Sequence, residues 1–196
     1  MKVVFLDRDG IINKYPGDGD YVKSIKEFKT IPGVFKALKR LKEQGYKLFI
    51  ISNQACVGRG VITQEKLNQI TDKLEQAALK QGLSLDGIFY CTHHPDDKCP
   101  CRKPNIGNIK KAMASIKSHP SKIKIGFFIG DTDKDIETGH KAKLNTILVE
   151  SGRDREDDFI NNKLKPHYVT KHLSQAVDLI LEYENTCHSR NSRRRS

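Results

Sequence analysis

Two carboxylates, Asp7 and Asp9, follow a short apolar run, Val3–Leu6, in the stretch Asp7-Arg8-Asp9-Gly10. A strand that ends there delivers one carboxylate toward a phosphorus atom and a second toward a leaving oxygen. Asp7 would be ionised near neutrality, since an unperturbed Asp titrates near ~3.9, and an ionised carboxylate can attack phosphorus to form an aspartyl-phosphate. That attack sets an anion against a phosphate dianion, so a cation must stand between them. Asp7, Asp9 and Asp131 together suit Mg²⁺, a hard ion that takes oxygen ligands. Asp9 is also placed to protonate the leaving alkoxide and later to deprotonate the attacking water.

Three later segments have the chemistry to complete such a site. Ser52-Asn53, after Phe49–Ile51, offers a hydroxyl and an amide for phosphoryl oxygens. Lys103 offers a point charge for the same oxygens, and Arg102 a forked donor for a second anionic group. Taken alone, each pair also fits an ordinary turn or a solvated surface. Asp131-Thr132-Asp133-Lys134-Asp135 could open a calcium loop, but the sixth and twelfth places, which want Gly and Glu, hold Ile136 and Ala142. Mg²⁺ fits this segment better than Ca²⁺. Asp135 would orient Lys103 or a metal-bound water, or serve only as an acid at a helix start.

Cys91, Cys99 and Cys101 crowd into eleven residues with His93 and His94. Three thiols and one imidazole suit tetrahedral Zn²⁺, and a fully protein-ligated ion is structural rather than catalytic. His93 and His94 compete for the fourth place. The loop runs directly into Arg102-Lys103, so the metal would aim those two side chains. Cys56 and Cys187 read as spare thiols, and five cysteines in all argue against a disulfide framework.

Strand and helix signals alternate along the chain. Strands are expected at Val3–Leu6, Lys47–Ser52, Gly87–Cys91, Ile125–Gly130 and Asn145–Val149, with a last extended piece near Tyr168. Helices are expected from Pro32-Gly33 to Gln44, from an N-cap at Thr63 to Lys80, near Gly107–Lys117, over about Asp135–Ala142, and near Leu173–Tyr183. The pattern implies an α/β fold, a Rossmann-like parallel sheet with helices on both faces. In such folds ligands bind beyond the carboxyl ends of the strands. Asp7, Ser52 and Asp131 each follow a strand, so the architecture would gather them on one rim.

The chain has 196 residues, enough for one substantial core. One domain is expected over 1–184, with a basic disordered tail over 185–196. Net charge is +11, four of it from Arg190 and Arg193–Arg195. Such charge attracts anionic substrates or nucleic acid, but no interleaved aromatic stripe supports nucleic acid. No apolar run suits a membrane helix and no signal-peptide layout opens the chain. A cytoplasmic monomer acting on a small molecule, with no membrane partner, is expected.

Asp7-Arg-Asp9-Gly, Ser52-Asn53-Gln54, Cys101-Arg102-Lys103-Pro104 and Gly130-Asp131-Thr-Asp-Lys-Asp135, in this order, resemble the four motifs of the haloacid dehalogenase superfamily of phosphatases. The match runs over about residues 1–150. The Cys-x-His…Cys-x-Cys-Arg-Lys-Pro element resembles the branch that acts on heptose bisphosphates and histidinol phosphate, and Ser52–Gly60 followed by Thr63 is similar to its heptose members. The resemblance implies Asp7 as nucleophile, Asp9 as general acid/base, and Ser52 and Lys103 as stabilisers of the phosphoryl group. It implies Mg²⁺ held by Asp7, the Asp9 backbone carbonyl and Asp131. Zn²⁺ is implied at Cys91, His93, Cys99 and Cys101, and substrate recognition at Arg102. The substrate site would be lined by Asp18, Gly19, Asp20, Tyr21, Asn53, Gln54 and Ala55. The implied activity removes the 7-phosphate of a heptose 1,7-bisphosphate on the way to nucleotide-activated heptose for surface polysaccharide.

The chain departs from the heptose pattern at Ala55-Cys56, where Ser-Gly is usual, and in a longer Lys14–Gly19 segment. No separate cap domain is expected, so loops 14–24, 53–62 and 92–104 would cap the site. The competing readings are a phosphatase for histidinol phosphate or many phosphomonoesters, a nucleic-acid 3′-phosphatase, and a catalytically inactive zinc-stabilised binding module.

Overall fold

The computed structural model describes residues 1–150, 152–153 and 164–192. Its strands are β1 (Lys2–Leu6), β2 (Lys47–Asn53), β3 (Gly87–Cys91), β4 (Ile125–Gly130), β5 (Asn145–Val149) and β6 (Tyr168–Thr170). Its helices are α1 (Val34–Glu43), α2 (Ala55–Gly58), α3 (Gln64–Lys80), α4 (Gly107–Ser115), α5 (Asp133–Lys141) and α6 (Leu173–Ser192). Among the described residues the strands form one sheet in the order β3-β2-β1-β4-β5-β6, and each pairing is parallel. The chain moves outward from β1 to β3, then returns to the other side of β1 with β4. The crevice beyond β1 and β4 is therefore the point where strand order reverses, the usual ligand position in open α/β sheets.

Side-chain alternation divides the strand residues between two apolar layers. Val4, Leu6, Leu48, Ile50, Phe127 and Ile129 pack with Leu38 and Leu41 of α1, Ile70 and Leu74 of α3, and Val177 and Ile180 of α6. Val3, Phe5, Phe49, Ile51 and Phe128 face the other way, onto Ile109, Ala112 and Met113 of α4. Phe5 stacks between Phe49 and Phe128, with ring centroids 5.7 and 6.4 Å away. Three strands are thus locked side by side directly below the rim where they end.

The helix boundaries follow local chemistry. Thr63 caps α3 by accepting from the Lys66 amide at 3.2 Å. Gly45, at φ +79°, provides the left-handed turn after α1. The four-residue α2 lies in a segment expected to be loop, because one turn is too short to show an apolar period. Helix α6 continues to Ser192, beyond the expected end near Tyr183, and residues 193–196 of the expected tail lie outside the described residues. Among the described residues no helix is long and apolar enough to cross a membrane.

Candidate active site

Asp7 sits one residue past β1 and Asp131 one residue past β4. Asp135 joins them because Thr132 caps α5: the Thr132 amide and hydroxyl both donate to Asp135 Oδ2, at 3.1 and 2.6 Å. The remaining oxygen, Oδ1, accepts from Lys103 Nζ at 2.6 Å, and the same Nζ lies 2.8 Å from Asp7 Oδ1. A Cβ on Gly130 would collide with the Asp135 side chain, so only glycine allows this turn.

Oxygens of Asp7, Asp131 and Asp135 lie within 4.8 Å of one another. Asp131 is 1% exposed, and both its carboxylate oxygens lack a hydrogen-bond partner. It is wedged between Gly10 and Gly152, where a Cβ on either glycine would strike its carboxylate. Burial, then the charges of Asp7 and Asp135, push Asp131 well above the usual carboxylate range. Burial also raises Asp7, against the opposing charge of Lys103. Burial disfavours the Lys103 ammonium, yet Asp135 and Asp7 outweigh it and raise its pKa. Three buried carboxylates thus share one buried ammonium, and orphaned oxygens face a common point. A hard divalent cation with oxygen ligands fits that donor set.

The Asp9 carboxylate is not part of this group. Arg8, 0% exposed, grips it with Nε–Oδ1 at 3.1 Å and Nη2 at 2.9 Å from both oxygens. Asn13 Nδ2 and Gln54 Nε2 donate to it as well, at 2.8 and 2.9 Å. Burial would raise the Asp9 pKa, but the Arg8 charge and these donors outweigh it and hold it low. A carboxylate with every acceptor position taken has no lone pair to spare for a metal. The Asp9 side chain is thus engaged away from the ion, which leaves its backbone carbonyl, the atom that the resemblance implies. Beneath Arg8, the Tyr90 ring lies 5.5 Å from the guanidinium carbon.

Asn53 ties β2 to the cysteine-rich loop. Its Oδ1 accepts from the Lys103 amide at 2.9 Å and its Nδ2 donates to the Lys103 carbonyl at 3.1 Å. This two-bond clamp fixes the backbone that carries the buried ammonium. Upstream, Cys91 Sγ lies 3.3 Å from Cys99 Sγ, Cys99 Sγ lies 3.5 Å from Cys101 Sγ, and His93 Nδ1 lies 3.2 Å from Cys101 Sγ. A tetrahedral ion with zinc–thiolate bonds of ~2.3 Å sets sulfur–sulfur edges of roughly 3.8 Å, so this cluster is close to the size of a metal site. His94 is elsewhere: its ring caps the short turn Pro95–Asp97 by accepting from the Asp96 amide at 3.4 Å. The competition between the two histidines thus falls to His93. Helix α2 presses against this loop, since a Cβ on Gly58 would meet the backbone of Thr92–His94. The 54–62 stretch therefore braces the cysteine loop instead of capping the cleft.

The cleft above these groups encloses about 250 Å³. Among the expected residues, Asp7, Asp9, Gly19, Asp20, Tyr21, Ser52, Asn53, Arg102, Lys103 and Asp131 line it. Three expected lining residues do not. Gln54 is 1% exposed and donates to Asp9 and, at 3.1 Å, to Ser52 Oγ. Ala55 is 3% exposed at the start of α2. Asp18 lies outside the lining, bonded to the Tyr15 hydroxyl at 2.7 Å and to Arg153 Nε at 3.2 Å. Tyr15, Pro16, Thr132, Lys134 and Arg153 line the cleft without having been singled out. The Asp-x-x-x-Asp motif drew attention to its acids and away from Thr132 and Lys134 between them. Arg153 lies on the loop four residues past the end of β5, and that nearness to a strand end was the available signal.

Comparison with known proteins places the geometry in a family. A HAD-hydrolase-like family model matches residues 100–176. D-glycero-beta-D-manno-heptose-1,7-bisphosphate 7-phosphatase of Pasteurella multocida is 34% identical over 186 residues, covering 91% of this chain and 96% of the relative. The protein of that name from Helicobacter pylori strain 26695 is 38% identical over 183 residues, covering 91% and 97%. The crystal structure of D,D-heptose 1,7-bisphosphate phosphatase from B. bronchiseptica, complexed with magnesium and phosphate, superposes with a TM-score of 0.82 at 29% identity, covering 93% of this chain and 99% of that one. The rim of carboxylates around Lys103 stands on the same fold as these proteins, and the chain belongs to the haloacid dehalogenase-like hydrolases, in the family of the heptose-1,7-bisphosphate 7-phosphatases.

Proposed function

We propose that this chain is a Mg²⁺-dependent phosphatase that removes the 7-phosphate of D-glycero-D-manno-heptose 1,7-bisphosphate through an aspartyl-phosphate on Asp7. The observation that carries the chemistry is the convergence of Asp7, Asp131 and Asp135 on one point beside Lys103. The substrate is supported by the names of relatives that match nearly the whole chain.

Asp7 and Asp131, with the Asp9 backbone carbonyl, would hold Mg²⁺, which when bound offsets the repulsion between the Asp7 carboxylate and a phosphate dianion. Lys103, fixed by Asp135 and by the Asn53 clamp, supplies positive charge to the phosphoryl oxygens, and the Ser52 hydroxyl lies on the same wall. An Asp7 oxygen forms a bond to phosphorus as the bond to the sugar oxygen breaks. Asp9, the general acid that the family resemblance implies, gives a proton to that oxygen, which requires one of its Arg8, Asn13 or Gln54 contacts to open first, because together they hold the carboxylate deprotonated. Water then attacks the phosphorus of the aspartyl-phosphate, Asp9 takes the water's proton, and inorganic phosphate leaves with Asp7 restored. Arg8, Asn13 and Gln54 set the direction in which Asp9 reaches the cleft. The test is ³¹P NMR of heptose 1,7-bisphosphate with this protein, with and without Mg²⁺. Loss of the 7-phosphate signal with the 1-phosphate intact supports the reading. Loss of the 1-phosphate, or no turnover, contradicts it.

Two further results are expected. Protons and Mg²⁺ compete for Asp7 and Asp131. Because burial raises both, the cation-free folded state binds more protons than the unfolded chain from the ordinary value of 3.8 upward, and stability drains away as pH rises through that window. Added Mg²⁺ displaces those protons, so the rise in Tm that it produces should grow with pH between about 5 and 8. A Tm increment that is flat or falls with pH would contradict Mg²⁺ binding at these carboxylates.

We also assign Zn²⁺ to Cys91, His93, Cys99 and Cys101. The purified protein should hold one zinc per chain by elemental analysis. Cys99→Ser should lose the metal and, by loosening the strap that carries Lys103, lower kcat roughly 10- to 100-fold. Full activity in a zinc-free Cys99→Ser protein would remove this role.

A further inference from the structure

The catalytic end of the cleft accounts for one phosphate. Lys103 is already shared by Asp7 and Asp135, so it has capacity for the transferring group alone. A bisphosphate brings a second group of about −1.5 to −2 charge. The other cations lining the cleft among the described residues are Arg102, Lys134 and Arg153. Arg102 enters from the cysteine loop. Arg153 enters from the loop that follows β5.

The placement of Arg153 is fixed from both ends. Gly152 packs its backbone against the Asp131 carboxylate so closely that no Cβ fits, which starts the Arg153 side chain beside the catalytic acids. At its far end Nε pairs with Asp18 Oδ1 at 3.2 Å, and the Tyr15 hydroxyl donates to the same oxygen at 2.7 Å. Asp18 thus links the 14–24 loop to the β5 loop across the mouth of the cleft. The pair is solvent-exposed, with 49% of the Arg153 side chain and 80% of the Asp18 side chain accessible. Exposed pairs of this kind are weak and readily exchanged. A guanidinium carries five donors in a planar fork, and a phosphate dianion matches that fork better than one carboxylate oxygen does.

We propose that Arg153 is a specificity-determining residue that receives the phosphate the enzyme does not transfer, with Asp18 holding it at the cleft mouth until that phosphate arrives. This rests on the bisphosphate reading above. The arrangement gives the substrate a two-point grip. One phosphate lies against Lys103 and Asp7, and the other closes the contact between the two loops.

The test compares kcat/KM for heptose 1,7-bisphosphate with that for heptose 7-phosphate, which lacks the second group, in wild type, Arg153→Gln and Arg153→Lys. Wild type should prefer the bisphosphate. Arg153→Gln should lose roughly 10- to 100-fold of that preference, mainly through KM, as expected for one lost charge-assisted contact. Arg153→Lys, which keeps the charge without the fork, should recover part of it. A preference left intact in Arg153→Gln, or an equal loss on both substrates, overturns the assignment while leaving the phosphatase reading in place. A wild-type protein with no preference for the bisphosphate overturns the substrate reading, and the role of Arg153 falls with it.

Discussion

Asp7→Asn should abolish turnover, by about four orders of magnitude or more, as expected when a nucleophile that acts as part of a unit is removed. The side chain keeps its shape, so the fold should survive. Asp7 is one of three buried carboxylates around a single ammonium, and burial already disfavours its charged form. Neutralising it relieves repulsion with Asp131, and this offsets the lost pair with Lys103. The cation-free variant should therefore melt no lower than wild type, and Mg²⁺ should raise its Tm less. Circular dichroism melts with and without Mg²⁺, beside a phosphate-release assay, separate lost chemistry from lost structure. Substantial residual turnover would remove Asp7 from the nucleophile's role.

Lys103→Met should produce the second large effect, on activity and stability together. The Lys103 side chain is 3% exposed, and it touches Asp7 and Asp135, whose side chains are 11% and 0% exposed. Removing one partner of a buried ionic cluster leaves uncompensated charge and costs about 3–5 kcal/mol. It also removes a cation aimed at the phosphoryl oxygens, worth about 10²- to 10³-fold in kcat by analogy with lost oxyanion donors. The stability deficit should shrink as pH falls, because protonation of Asp7 removes a charge that Lys103 balanced. Denaturant unfolding at two pH values reads this directly. A deficit independent of pH would mean that packing, not charge, is what Lys103 supplies.

The strands were legible in the sequence because each is a nearly unbroken apolar run, as buried parallel strands must be; β3, β4 and β5 occupy the expected residues. That legibility carried the rim as well, since Asp7 and Asp131 come directly after strands and Ser52 is the next-to-last residue of β2. What the sequence did not reveal depends on side-chain direction. Arg8 drew no assignment in the sequence, yet it is wholly buried and holds Asp9 apart from the carboxylate group. Gln54 and Asn53 looked like ligands for substrate. Gln54 is spent on Asp9. Asn53, although it lines the cleft, is spent on the Lys103 backbone. An amide flanking a reactive residue often positions it, and nothing in a linear sequence separates that role from direct contact. Arg153 escaped notice because no period or motif marks a cation on a strand-end loop, and Lys134, in the first turn of α5, because the acids of its motif drew the attention.

The same geometry explains why two glycines matter beyond their turns. Gly10 and Gly152 flank Asp131, and either side of that wedge fails if a methyl group is added. The carboxylate is therefore held mainly by steric confinement, with the Arg153 backbone amide the one donor directed at it among the described residues.

Whether the phosphoryl group passes through Asp7 can be measured in an Asp9→Asn protein given p-nitrophenyl phosphate. That leaving group needs no proton, so the first step should proceed, while the second lacks its base and stalls. A burst of p-nitrophenol matching the enzyme concentration, with covalent phosphate on Asp7 in peptide mass spectra, is the expected result. A burst with no phosphate on Asp7, or with phosphate on another residue, would contradict the account.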